Sequence, residues 1–295
     1  MAVLACAAPS EEQEMKKFLT CALVVVAAAC SSSDDGEGNV NFTTWGEEFI
    51  EQEIPSSDVA DGWTIKYDRF LVTFHDIEVA EDGAAPAVTM AGSKLFNHKV
   101  PGEKSIVKFA NVPAKAYTHV SYRIAPAAAD TELGAGVTDA DKQLMVSNGY
   151  AVYVEATATK GATTKSYKWG FKLDTLYDRC KGDISGKETD GAIVTNGGTD
   201  TVQLTIHGDH LYYDDLQAKE AKVRFDNIAN ADADNDGVIT LEELAAVKLA
   251  AIPKANGPYG TGSAAGINDL RAFVEALSRT VGHYRGEGEC FASAK

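Results

Sequence analysis

The residues with the clearest chemistry form one run, Asp232-Ala233-Asp234-Asn235-Asp236-Gly237-Val238-Ile239-Thr240-Leu241-Glu242-Glu243. Asp232, Asp234 and Asp236 alternate, so a curled backbone turns three carboxylates toward one centre. Gly237 follows where the chain must bend sharply, and glycine bends there without a Cβ penalty. A hard divalent cation such as Ca²⁺ takes six to eight oxygen ligands at about 2.3–2.6 Å. A plainer role competes for part of the run. Asp, Asn and Gly cluster in ordinary turns, and Thr240 with Glu243 three places later is a capping box for a following helix. Capping accounts for Thr240 and Glu243. It does not account for three alternating Asp before a Gly, and it leaves the crowded carboxylates without a balancing cation.

Position by position, the run resembles the EF-hand calcium-binding loop. The resemblance implies Ca²⁺ ligands at Asp232, Asp234 and Asp236, at the backbone carbonyl of Val238, at Thr240 directly or through water, and at both oxygens of Glu243. Ile239 takes the apolar place that usually packs against a partner loop. The chain has one such loop where EF-hands normally pair. The expectation is therefore a modest affinity, about 10⁻⁴–10⁻³ M, and a Ca²⁺ ion that is mainly structural.

A second constellation is His207-Gly208-Asp209-His210, ahead of Tyr212-Tyr213. Two imidazoles and a carboxylate there could meet a transition metal. The plainer reading is surface histidines in a strand-to-helix turn, with His283 belonging to the C-terminal tail. Catalytic signatures are absent: there is no Gly-x-Ser-x-Gly, His-Glu-x-x-His, Gly-x-x-x-x-Gly-Lys or Cys-x-x-Cys. Gly260 to Gly266 has the wrong spacing for a phosphate loop and reads as a linker. The remaining enzymatic route is a pair of carboxylates assembled by the fold. The reading is a protein that is not an enzyme, with a binding or surface-interaction role toward an unidentified protein partner.

The start of the chain reads as export machinery. Residues 1–14 fit no targeting pattern and read as an upstream extension before Met15. Residues 15–29 pair a basic start, Lys16-Lys17, with a short apolar stretch and small residues, the parts of a signal peptide. The run ends at Ala27-Ala28-Ala29-Cys30 and passes into Ser31-Ser32-Ser33-Asp34-Asp35-Gly36. This resembles a bacterial lipoprotein signal, which implies lipidation of Cys30, a membrane anchor, a flexible tether over 30–40 and, with Ser31 behind the Cys, outer-membrane sorting. Ala27 departs from the Leu that such signals prefer. Cleavage after the small residues, giving a soluble periplasmic or secreted protein, is the alternative. Without the leader cysteines and Cys30, Cys180 and Cys290 remain, an even pair that reads as one disulfide in an exported protein. Two buried free thiols are the other reading.

The elements that must position these groups are mostly strands. Trp63 to Tyr67 alternates apolar and polar residues, Phe70-Leu71-Val72 interrupts, and His75 to Val79 resumes; such a break marks a bulge or a strand buried on both faces. Further strands are expected at 105–110, 117–124, 150–158, 165–174 and 201–207, with a short helix at 139–146. Strands without intervening helices predict an antiparallel β-sandwich domain over 41–208. Helices at 213–229, 240–251 and 267–281 would make 209–295 a helical EF-hand segment, and the whole an α+β fold. Val107 to Ala114 with Tyr117 and Val120-Ser121-Tyr122 resembles a strand-turn-strand piece of small bacterial β-sandwich lipoproteins. Gly149 to Glu155 is similar to a segment of periplasmic copper-associated proteins of that kind. That resemblance implies a fold, and a transition-metal (copper) handling role as the alternative function, without mapping ligand residues.

Composition bounds the rest. The 295 residues carry 43 acidic against 27 basic side chains, a net charge of −16 that repels nucleic-acid backbones. No apolar run approaches the roughly 18 residues of a membrane-spanning helix.

Overall fold

The computed structural model describes residues 36–184 and 186–295. The upstream extension, the signal peptide and Cys30 lie outside them. Eleven strands carry the architecture: β1 (Glu37–Gly46), β2 (Thr64–Ala80), β3 (Ser93–Asn97), β4 (Lys104–Pro113), β5 (His119–Ile124), β6 (Val152–Lys160), β7 (Thr163–Phe171), β8 (Thr175–Asp178), β9 (Thr199–Ile206), β10 (Gly282–Tyr284) and β11 (Phe291–Ala294). They form a four-stranded sheet in the order β10-β9-β1-β4 and a nine-stranded sheet whose main path is β7-β6-β2-β5-β8-β11, with β3 on β2. Val40, Phe42, Val202 and Leu204 of the first sheet share one buried cluster with Tyr67, Phe70, Phe74 and Tyr122 of the second. The chain is thus mostly β, two sheets around a common core, as expected of a sandwich.

β2 shows how the sequence pattern became geometry. Ile65 and Tyr67 are buried between more exposed neighbours, whereas every residue from Phe70 to Phe74 is fully buried. The break in alternation has both expected causes. The ladder to β6 shifts register between Tyr67 and Arg69, and the ladder to β5 shifts between His75 and Glu78. The outer face is also covered: Leu71 packs with Leu95, Met145 and Tyr153 beneath the helix Asp139–Asn148. That helix starts on a capping box of Thr138 with Asp141 and stops at Gly149, whose φ of 67° suits glycine.

Four sequence expectations need correction. The tether read over 30–40 becomes strand from Glu37, because Val40 and Phe42 are fully buried apolar residues. The sandwich is not wholly antiparallel, since β1 runs parallel to β9 in the register Asn39↔Thr199 to Gly46↔Ile206. No hairpin ties these strands, so nothing forces them to oppose each other. The helix expected over 213–229 is absent apart from α3 (Asp226–Ala229), following α1 (Glu48–Glu51) and α2 (Asp139–Asn148) in chain order. The side chain of Asp215 takes the N–H groups of Gln217 and Ala218, Asp214 takes that of Lys222, and Asp61 takes those of Phe225 and Asp226. Carboxylates capture the donors that a helix would have used internally. The remaining helices are shorter than expected, α4 at Leu241–Ala246 and α5 at Leu270–Leu277. Beyond α4 the chain turns extended at Val247, whose carbonyl accepts from Leu270 N at 3.0 Å. Residues 209–295 are therefore less helical than predicted, and β10 and β11 return them to the two sheets.

Cys180 and Cys290 form a disulfide across 110 residues. It holds the stretch after β8 to the stretch before β11, which pairs with β8 along Thr175–Asp178.

Candidate metal centres

β9 ends at Ile206, and the chain continues through His207 and Gly208 into a tight helical turn, Asp209–Tyr212. Gly208 is needed there because a Cβ would lie 2.7 Å from Ile50 Cγ1 and 2.8 Å from the Tyr67 ring. Tyr67 Oη donates to the Gly208 carbonyl at 2.6 Å and fixes the turn against β2. Beside it, β10 pairs with β9 in the register Thr205↔His283 and Ile206↔Gly282. His207 N donates to the Val281 carbonyl at 2.9 Å, which continues the alignment.

Three histidines meet as a result. Ring centroids lie 4.1 Å apart for His207 and His283, 4.8 Å for His210 and His283, and 5.5 Å for His207 and His210. One nitrogen from each ring lies within 4.8 Å of the others. His207 and His283 are 4% and 5% exposed, and His207 Nε2 and His283 Nδ1 have no hydrogen-bond partner. His207 Nδ1 faces Glu47 Oε2 at 3.4 Å, and His210 Nδ1 is 2.9 Å from Thr280 Oγ1. Burial, then the neighbouring imidazoles, pull His210 and His283 down to about 3. Both are neutral near pH 7, the form that donates a lone pair to a metal. Orphaned nitrogens in a dry site carry a desolvation cost that a cation would remove. Outer partners such as Glu47 and Thr280 are the usual means of orienting ligating imidazoles. The donor set fits copper, zinc or another late first-row ion.

The structure thus changes the reading of two sequence features. His207 is not a surface residue, and His283 stands in a strand rather than in the disulfide-bearing tail. Nothing in the spacing links His283 to His207; strand pairing does.

The acidic loop is held at the free edge of the large sheet. Ser166 of β7 donates its N–H to the Gly237 carbonyl at 2.9 Å and accepts from Ile239 N at 2.8 Å. Trp169 Nε1 donates to the Ile239 carbonyl at 2.9 Å, and Ile239 is fully buried. The apolar residue expected to meet a partner loop thus packs against a β-strand edge instead. Of the six predicted ligands, Asp232, Asp234 and Glu243 bring carboxylate oxygens within 4.8 Å of one another. Asp236 Oδ1 instead accepts from Val238 N at 2.7 Å, and Thr240 forms the capping box with Glu243. The Val238 side chain is exposed. Asp232 also contacts Lys165 Nζ, whose ammonium holds the carboxylate below its usual range. The flanking helices α3 and α4 are each under two turns long, shorter than the helices expected of an EF-hand segment.

A cavity lined by Tyr150, Glu155, Lys168, Glu242, Arg271 and Glu275, among others, lies between β7 and the last two helices. Three of its four carboxylates are engaged by cations, Glu155 by Arg69 and Lys168 and both Glu242 and Glu275 by Arg271; the fourth is Asp68.

No family model and no curated sequence matches the chain. Among solved structures, MbnP from Methylosinus trichosporium is similar at 12% identity and a TM-score of 0.32, over 59% of this chain and 76% of that one.

Proposed function

We propose that this is an exported metal-binding protein that holds a late first-row transition ion, copper by donor preference, on His207, His210 and His283. The observation that carries the reading is the convergence of three imidazoles, two of them buried with a nitrogen that has no hydrogen-bond partner. Among divalent first-row ions, copper binds such nitrogen donors most tightly. Three protein ligands leave coordination positions open, which suits an ion that is taken up and passed on. The test is equilibrium dialysis of chelator-stripped protein against Cu²⁺. Retention of copper against a weak competing chelator is the expected result, and copper that stays wholly with the chelator contradicts it.

The acidic loop supports a second, separate reading, a structural Ca²⁺ site on Asp232, Asp234, Asp236, Val238, Thr240 and Glu243. The carboxylate trio on a braced loop favours it. Glu243→Gln separates this role from capping, because Gln serves equally well in a capping box. Calcium should raise the melting temperature of the wild type and leave Glu243→Gln nearly unmoved, the wild-type gain being about 2.7 kcal/mol at a hundredfold excess over Kd. Equal gains in both proteins, or none in either, would sink the calcium reading.

Export is supported by the disulfide, which persists in oxidising compartments. Anchoring through a lipid at Cys30, with outer-membrane placement, completes the proposal. A Cys30→Ser protein should move from the membrane to the soluble fraction; unchanged fractionation would remove the anchor.

A further inference from the structure

Glu47, His207 and Asp209 form another group whose ligating atoms lie within 4.8 Å of one another. It shares only His207 with the three-histidine group. Glu47 stands between the end of β1 and α1, and Asp209 opens the tight turn after β9. The polar contacts are few. Glu47 Oε1 accepts from Gly208 N at 3.2 Å, and Glu47 Oε2 faces His207 Nδ1 at 3.4 Å. Asp209 Oδ2 accepts from Tyr213 Oη at 2.7 Å, while Asp209 Oδ1 is buried with no partner. Asp209 as a whole is 7% exposed. Among the described residues, neither carboxylate forms an ion pair with Lys or Arg; the single charged-type contact is the one to His207.

A buried carboxylate with one oxygen orphaned, beside a second, half-buried carboxylate, is costly unless a positive charge joins them. A purely orienting role for Glu47 on His207 would explain the 3.4 Å contact. It would not explain the unpartnered Asp209 Oδ1.

We propose that Glu47, Asp209 and His207 form a second cation subsite beside the three-histidine centre, with His207 as the shared ligand. Two carboxylates and one imidazole suit a borderline or hard divalent ion such as Zn²⁺ or Mn²⁺. His207 offers Nδ1 on the Glu47 side and Nε2, the unpartnered nitrogen, for the other side. A ring that ligates through both nitrogens has no N–H, so one proton leaves to solvent when the second ion binds. This subsite rests on its own carboxylates, and the shared ring ties it to the three-histidine reading.

The experiment is calorimetric titration of the chelator-stripped full chain with Zn²⁺, with calcium in excess so that the acidic loop is occupied. The expected result is two equivalents in the wild type, one in Asp209→Asn and one in His283→Ala. Glu47→Gln repeats the Asp209 arm should that variant fail to fold, with a thermal melt to check each protein. A single equivalent in the wild type that Asp209→Asn and Glu47→Gln leave intact overturns the second subsite and keeps the three-histidine centre. A single equivalent lost in both carboxylate variants and retained in His283→Ala keeps this subsite and overturns the three-histidine centre. A single equivalent lost in all three variants overturns the division into two sites.

Discussion

Replacing His283 by Ala is expected to weaken copper binding at least about 100-fold. Loss of an outer partner of a ligating histidine already costs 10- to 100-fold, so removal of a ligand belongs at or beyond the top of that range. In the metal-free protein the same substitution opens a cavity, since His283 is 5% exposed, but leaves no polar group stranded. The His283 Nδ1 atom has no hydrogen-bond partner, so its removal strands no other group. Copper affinity separates metal binding from packing. If His283 were merely a core residue, the metal-free melting temperature would fall in the same way and copper affinity would stay where it was. Competition titration with a copper chelator, alongside thermal melts with and without copper, reads both.

Cys290→Ser carries the largest effect on stability. Opening a loop of 110 residues removes a constraint worth about 4–5 kcal/mol in the chain-entropy model. For a chain of this size the melting temperature should fall by roughly 8–20 °C. The loss is also directional. The bridge pins the segment that leads from β10, with His283, to β11, and among the described residues β11 pairs only with β8. Copper affinity in Cys290→Ser should therefore fall as well, although neither cysteine belongs to the cluster. A melting temperature within about 2 °C of the wild type would show that the bridge constrains little, since that shift corresponds to no more than about 1 kcal/mol.

What the sequence revealed and what it hid divide along one physical line. Features set by near neighbours were legible. The alternation in Trp63 to Val79 marked β2 and even its irregularities, and the spacing of Asp232, Asp234 and Asp236 marked a loop whose carboxylates do converge in part. Features set by pairing at a distance were not. Val40 read as the end of a tether because its strand partner, Asp200, comes 160 positions later. Likewise His283 acquires meaning only when β10 aligns beside β9. The misread helix over 213–229 has a local cause of a different kind. Its apolar residues are spaced for a helix, but Asp214 and Asp215 take backbone donors first, and side-chain capture is invisible to periodicity.

The acidic loop and the histidine cluster also differ in what braces them. The loop hangs on β7 through Ser166 and Trp169, a free sheet edge. The histidines sit where β9, β10 and the turn Asp209–Tyr212 meet, with Tyr67 and Gly208 fixing the backbone between them. Rigid support of this kind keeps ligands near productive geometry without the metal, the condition for tight and selective binding.

The central claim, a transition ion held by three imidazoles, is tested most directly by X-ray absorption at the copper edge of copper-loaded protein. The account predicts a first shell containing three histidine nitrogens, reduced to two in His283→Ala. A first shell of oxygens, or one that His283→Ala leaves unchanged, would contradict it.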